Sequence, residues 1–239
     1  MTRLARPIVD AQPDPARPSP SPRKVYDRSS FEGDFLVQIP GQTAEDFELY
    51  APESRFCEFF DGTVYMPSPV SDHHQRIVGF LLGLLDGYRW SRPPGLDLLF
   101  GPAVLRLAGD LKPEPDIFIA PMPPGDVPAL LVIEVLSPSH RSYDVIEVLS
   151  PSHRSYDLDF KAGHYKAAKI PEIWYVDHAN RTLIRDILCD IGYSRQEIPH
   201  GRVAPAHLPG FWIDVGWLWS EPLPNPRACL DTILANPPA

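Results

Sequence analysis

Three cysteines in 239 residues, Cys57, Cys189 and Cys229, are odd in number, far apart and in no CxxC spacing, which excludes a disulfide framework and a zinc knuckle. A reducing, cytoplasmic compartment is expected. Long apolar runs are missing too: the longest, around Ile77 to Leu85, is broken by Gly79 and Gly83 and falls short of the roughly 18 residues a membrane helix needs. The N-terminus lacks the apolar stretch of a signal peptide, so a soluble protein with no membrane partner is expected. Positive charge is scarce, with 22 Lys and Arg against 31 Asp and Glu and a net charge of -9. That balance argues against broad electrostatic affinity for nucleic acid, whose phosphates need clustered Lys and Arg. A local basic groove inside a negative total, or an acidic active site, is compatible with it.

Proline, by contrast, is plentiful. Met1 to Lys24 hold six of the chain's 30 prolines together with Ser, Arg and Ala, a composition that buries too little apolar surface to offset ordering entropy. Residues 1–28 are therefore expected to be a disordered tail, and residues 29–220 one folded domain. Residues 221–239 are read as a second Pro-rich tail carrying a short amphipathic helix at Arg227 to Leu234, for which docking and fraying are both left open.

Within the domain, Thr43 to Tyr50 reads as a short helix. Phe56 to Phe60 and Thr63 to Met66 flank Asp61-Gly62, the strongest short hairpin signal. Ser71 is placed to cap a helix with an apolar stripe at Ile77, Phe80, Leu81, Leu84, Leu85 and Tyr88. Gly79 and Gly83, one turn apart, would let that helix lie close to a sheet. Strands are expected at Leu98 to Phe100, Val104 to Leu107, Asp116 to Ala120 and Ala129 to Leu136, the last apolar enough to be buried on both faces. A helix from Leu158 to Lys169, a buried strand Ile173 to Val176 and a hairpin of Leu183 to Leu188 with Tyr193 to Ile198 complete an α/β fold with a mixed sheet. Trp212, Trp217 and Trp219 lack interleaved basic residues and are read as core and closing surface. His73 and His74 begin a helix, where exposure is the default, and no His or Cys pair has the spacing of a closed zinc site.

Residues Val132 to Asp144 read VIEVLSPSHRSYD, and Val145 to Asp157 repeat them without a change. Thirteen is odd, so a continued strand would turn its apolar set to the opposite face in the second copy. Pro138 and Pro151 end any strand on their own account, and two copies cannot stack as a solenoid. One copy is expected to be strand and the other a loop insertion.

The duplication matters because it offers two candidates for one acidic position. Asp116 opens one strand, and Glu134 or Glu147 lies in a buried one beside it. Two such carboxylates on adjacent strands need a partner when buried, and a hard cation such as Mg²⁺ or Mn²⁺ suits phosphodiester hydrolysis. Lys161 would orient the attacking water or stabilise charge on phosphate. Pro-Asp alone, a lone strand Glu or an isolated helical Lys carries little weight, since Pro13-Asp14 recurs in the tail and lysines are usually solvated. Their order and placement carry the argument.

The blocks EFFDGTVYMPSP, HHQRIVGFL, EPDIFIAP, LLVIEVLSPSHRSYDLDFKAGHYKAAKIPEIWYVD (with one copy of the repeat) and LPGFWIDV closely resemble the bacterial restriction endonuclease family called Uma-two, of the PD-(D/E)XK nuclease superfamily. The resemblance runs from about Thr43 to Trp217. It implies a restriction-endonuclease-like core, a central mixed β-sheet flanked by helices, with extra N-terminal and C-terminal β-hairpins, and metal-dependent cleavage of DNA. Carried over, the motif Asp is Asp116 and the strand Glu is Glu134 or Glu147. The superfamily lysine two residues beyond is absent, since Leu136 and Leu149 stand there, and the family supplies it from the following helix as Lys161. Glu58 and Gln75 match family positions near the metal.

The duplication departs from the family. Copy two keeps the spacing from Glu147 to Lys161, whereas copy one keeps the apolar lead-in Ala129 to Ile133. Burying large apolar side chains is worth about 1.5 to 3 kcal/mol each, and lengthening a loop costs only about 0.6 kcal/mol per doubling. This comparison favours Glu134 in the strand. The expected function is an Mg²⁺- or Mn²⁺-dependent endodeoxyribonuclease with Asp116 and Glu134 as metal ligands, working on double strands as a homodimer. The rival is an inactive nuclease-fold module that binds nucleic acid or protein, its site displaced by the insertion; a weaker third reading is an RNA-directed nuclease.

Overall fold

Asp61 and Gly62 both adopt positive φ, 47° and 79°, as a two-residue turn between antiparallel strands requires. The computed structural model describes residues 36–50, 56–92, 94–123, 128–136 and 156–237. Around that turn, β1 (Leu36–Pro40), β2 (Glu58–Phe60) and β3 (Thr63–Pro67) form a three-stranded antiparallel sheet in the order β1-β3-β2, with α1 (Ala44–Tyr50) between its first two strands. The expected hairpin thus carries a third strand.

Next comes α2 (Asp72–Trp90), whose N-cap Ser71 accepts the His74 N–H. A six-stranded sheet follows: β4 (Leu96–Phe100), β5 (Ile117–Pro121), β6 (Leu131–Val135), β7 (Glu172–Asp177), β8 (Thr182–Cys189) and β9 (Gly192–Ile198), neighbours in that order. Only β6 and β7 pair in parallel, and the rest are antiparallel. A parallel pair needs a crossover. Here it includes a π-helical turn, Tyr156–Lys161, running into α3 (Ala162–Ala167). The chain ends with β10 (Arg202–Val203), β11 (Ile213–Asp214), a 3₁₀ turn at Val215–Trp219 and α4 (Pro226–Ala235).

Alternation along the central strands decides which layer each side chain enters. Ile117 and Ile119, Leu131, Ile133 and Val135, and Trp174 and Val176 pack with α2 and α4. Phe118, Val132, Ile173 and Tyr175 pack on the other face with Ala162 and Tyr165 of α3. Glu134 shares the parity of Val132, so it points into the layer that carries the π-helical turn. Burial of each large side chain contributes about 1.5 to 3 kcal/mol, which pins the register and hence the direction of Glu134. Trp212 lies in the core with Trp217 and Trp219 packed against it. No helix among the described residues is long and apolar enough to cross a membrane.

Several expectations need correction. Val104 to Leu107 is not a strand: Leu105 N–H donates to Pro113 O and Leu107 N–H to Leu111 O, but Pro113 has no N–H to complete a ladder. Gly79 is exposed with nothing near its Cβ position, and the close approach on α2 is to another helix. A Cβ on Gly83 would lie 3.1 Å from Pro226, and one on Gly87 would collide with Leu230, so this face of α2 receives α4. The C-terminal helix is docked, with Cys229, Leu230 and Ile233 in the main core. The helix expected at Leu158 to Lys169 starts earlier, as the wider π turn, and ends at Ala167. The expected tail at 1–28 and most of the duplicated segment, including Glu147, His140 and His153, lie outside the described residues.

Candidate active site

Asp116 immediately precedes β5 and Glu134 is the fourth residue of β6, its antiparallel neighbour. Asp116 N–H donates to Glu134 Oε2 at 3.3 Å, and Asp116 Oδ2 accepts the Val135 N–H at 2.7 Å. Each carboxylate is therefore oriented by the other residue's strand. Glu134 is 2% exposed, whereas the Asp116 side chain keeps 24% of its surface. The pair forms the floor and the rim of one site.

Lys161 closes the π-helical turn, buried at 4% exposure. Its Nζ lies 2.8 Å from Glu134 Oε1, 3.0 Å from Glu58 Oε1 and 3.8 Å from Asp157 Oδ1. Burial alone would lower its pKa, but Glu134, Glu58 and Asp157 outweigh it and hold the ammonium well above its ordinary range. The lysine is a fixed positive charge. Glu134 Oε1 also accepts the Tyr165 hydroxyl at 2.6 Å.

Glu58 enters from the small sheet. An antiparallel bridge between Phe59 and Lys112 ties β2 to the segment before Asp116. Beside it, Glu114 N–H donates to Glu58 Oε1 at 2.8 Å, and Cys57 N–H to Glu114 Oε2 at 3.0 Å. Tyr156 donates its hydroxyl to Glu58 Oε2 at 2.9 Å.

Asp116 has a further partner that the sequence reading missed. His74 is buried rather than exposed, and its Nε2 lies 3.1 Å from Asp116 Oδ2. Burial lowers its pKa, but the hydrogen bond and charge of Asp116, with Glu134 behind, raise it overall. A signal existed in the sequence, because His74 falls one turn before Ile77 and Val78 on the apolar stripe of α2. Gln75, by contrast, points to solvent and makes no side-chain hydrogen bond among the described residues; the structure does not bring it to the carboxylates. Tyr156, Tyr165, Asp157 and Glu114 also join the cluster unannounced. Glu114 directly precedes Pro115-Asp116, which was its only sequence cue.

The charge balance decides what this arrangement is suited to hold. Two buried carboxylates outside the cluster, Asp186 and Glu172, are neutralised by basic side chains. Asp186 meets Arg195 through two 2.8 Å bonds and Lys166 at 2.7 Å, and Glu172 meets Arg185 at 2.7 Å. In the cluster, Glu58, Glu114, Glu134, Asp116 and Asp157 have Lys161 as their lysine and His74 as an imidazole. The deficit appears as proton affinity. Burial, with Asp116 and Glu58 nearby and Lys161 opposing, raises Glu134 to about 7. Burial and Glu58 raise Glu114 to about 8, and burial with the neighbouring carboxylates raises Asp157 well above its usual range. An all-oxygen donor set with surplus negative charge fits a hard divalent cation, and Asp116 and Glu134 are the pair that could hold it.

The sequence profile of the family Uma2, described as "Putative restriction endonuclease", matches residues 44–144 and 145–216. The break between the two stretches falls at the junction of the duplicated copies. A solved structure from Anabaena variabilis, titled as that of a "putative nuclease belonging to DUF820", matches with a TM-score of 0.56 at 15% identity, covering 74% of this chain and 97% of that one. At that identity the likeness is one of fold. No curated protein matches the chain.

Proposed function

The chain belongs to the Uma2 family, and from that premise we propose that it is a divalent-metal-dependent endonuclease hydrolysing DNA phosphodiester bonds. The observation that carries this reading is the convergence of Asp116, Glu134 and Lys161 within hydrogen-bond and ion-pair distance. An insertion that had displaced the site would have separated them, which weighs against the inactive-module reading.

In this reading Asp116 and Glu134 hold Mg²⁺ or Mn²⁺, which when bound supplies Lewis acidity and a water of lowered pKa. The remaining work belongs to the chain. His74 and the Val135 amide fix the Asp116 carboxylate, and Tyr165 fixes Glu134. Lys161 presents a permanent ammonium beside Glu134, where it favours a hydroxide-like nucleophile and the charge gathering on phosphate. Glu58 holds Lys161 from the opposite side and so acts as a positioning residue. Cleavage of both strands by a chain with one such site calls for two copies.

The test is nicking of supercoiled plasmid by purified protein with Mg²⁺ or Mn²⁺, beside an EDTA control and Asp116→Ala. Metal-dependent nicking that the variant loses supports the reading. An inert wild type on DNA contradicts it, and cleavage of RNA alone would transfer the same site to the RNA-directed reading.

A further inference from the structure

His73 and His74 are neighbours on α2, about 100° apart around its axis, and they face different partners. His74 turns to Asp116, whereas the His73 ring lies 3.7 Å, centroid to centroid, from that of His178. His178 sits just after β7, on the turn into β8, and Glu221 follows the 3₁₀ turn before α4. One donor atom from each of His73, His178 and Glu221 lies within 4.8 Å of the other two.

We propose that His73, His178 and Glu221 form a second metal site, selective for a borderline transition-metal ion of the Zn²⁺ class. Two imidazoles and a carboxylate are a donor set that Zn²⁺ takes in tetrahedral geometry with one position left open, and imidazole donors disfavour Mg²⁺. Tetrahedral coordination at about 2.0 to 2.1 Å puts donors about 3.3 Å apart. The triad's donor atoms, all within 4.8 Å of one another, are therefore gathered close to a bound geometry, and the Glu221 side chain is exposed. A second observation points the same way. His73 Nε2 is buried without a hydrogen-bond partner among the described residues, a state that polar atoms rarely keep without a ligand or water.

The open position has somewhere to face, since a cleft lined by His73, Arg76, Phe80, Glu221 and Leu223 adjoins the triad. The consequence is structural. The ion would join the first turn of α2, the β7–β8 turn and the segment leading into α4, clasping the C-terminal helix to the core. This site is chemically distinct from the oxygen-donor cluster on the far side of His74, and its existence does not depend on nuclease activity.

The test is titration of the full chain, in a Cys189→Ser background that removes the exposed thiol, with Co²⁺ as a visible probe and Zn²⁺ as competitor. The expected result is one equivalent of Co²⁺ with tetrahedral d–d absorption, displaced by Zn²⁺ and unaffected by excess Mg²⁺. Zn²⁺ should also raise the thermal midpoint. His178→Ala should abolish the band and Glu221→Gln should weaken binding at least tenfold, both with unchanged circular dichroism, while Asp116→Ala should leave it intact. Absence of the band, or a band that survives His178→Ala, would overturn the proposal.

Discussion

Asp116 and Glu134 are locked to each other through backbone amides: the Asp116 N–H donates to Glu134 Oε2 at 3.3 Å, and the Asp116 carboxylate accepts the amide of Val135, one residue beyond Glu134, at 2.7 Å. Moving either carboxylate gives up a hydrogen bond to the backbone of the neighbouring segment. The remaining freedom of Asp116 is restrained by His74, at 3.1 Å.

His74→Ala should therefore weaken metal use rather than the fold. Partners that orient ligating groups are worth about 10- to 100-fold in metal affinity or activity, so the Mn²⁺ concentration for half-maximal cleavage should rise by that factor. Metal titration of plasmid nicking checks it; an unchanged requirement would assign His74 a packing role alone.

Lys161→Met removes the ammonium held between Glu58 and Glu134. Stranding buried charges costs about 3 to 5 kcal/mol, and losing a transition-state cation costs about 100- to 1,000-fold in rate. The stability loss should be larger at pH 8 than at pH 6, because the abandoned carboxylates take up protons at the lower value. Denaturant unfolding at both pH values and single-turnover cleavage measure the two effects.

The raised carboxyls make a pH prediction of definite sign. Glu134 and Glu114 are raised from an ordinary 4.5 to about 7 and about 8, so between those values the native state binds protons that the unfolded chain releases. Their contribution is fully present below about pH 4.5 and is lost as pH rises through 7 to 8, with a slope for buried Glu134 on the order of 1 kcal/mol per pH unit. The thermal midpoint of metal-free protein should fall across that window, and Mg²⁺ should flatten the fall. A midpoint that rises with pH in the absence of metal would contradict the charge deficit.

The site takes its strand from the first copy of the repeat and its Tyr156 and Asp157 from the end of the second. Removing either copy yields the same sequence, with Leu136 and Tyr156 separated by six residues instead of 19. Both ends of the site survive that change. The single-copy chain should keep metal-dependent activity within a few-fold and gain about 1 kcal/mol from the shorter connection. Calorimetry with plasmid nicking tests this; loss of activity would show that the inserted residues take part in the site.

The fold was legible wherever local chemistry and burial agreed. Asp61-Gly62 announced its turn, Ser71 its cap, and the run from Ala129 to Leu136 a strand covered on both faces. Asp116, Glu134 and Lys161 came from the ordered blocks of the family resemblance, since no single one of them stands out in this chain. Three things were not legible. His74 read as exposed because a helix start is usually solvated, although its place on the apolar stripe was a cue. Gly83 and Gly87 make a close-packing face, but only the tertiary structure shows that Pro226 and Leu230 fill it. The π-helical turn at Tyr156–Lys161 is one short turn that runs directly into α3, too few residues for periodicity to separate it from an α-helix.

Cleavage of supercoiled plasmid with Mn²⁺ by the wild type, Glu134→Gln and Glu147→Gln tests the central claim, that the first copy supplies the metal-binding glutamate. The account predicts a loss of about 100-fold or more in Glu134→Gln and activity within about twofold of wild type in Glu147→Gln. An active Glu134→Gln beside an inactive Glu147→Gln would contradict it and move the site to the second copy.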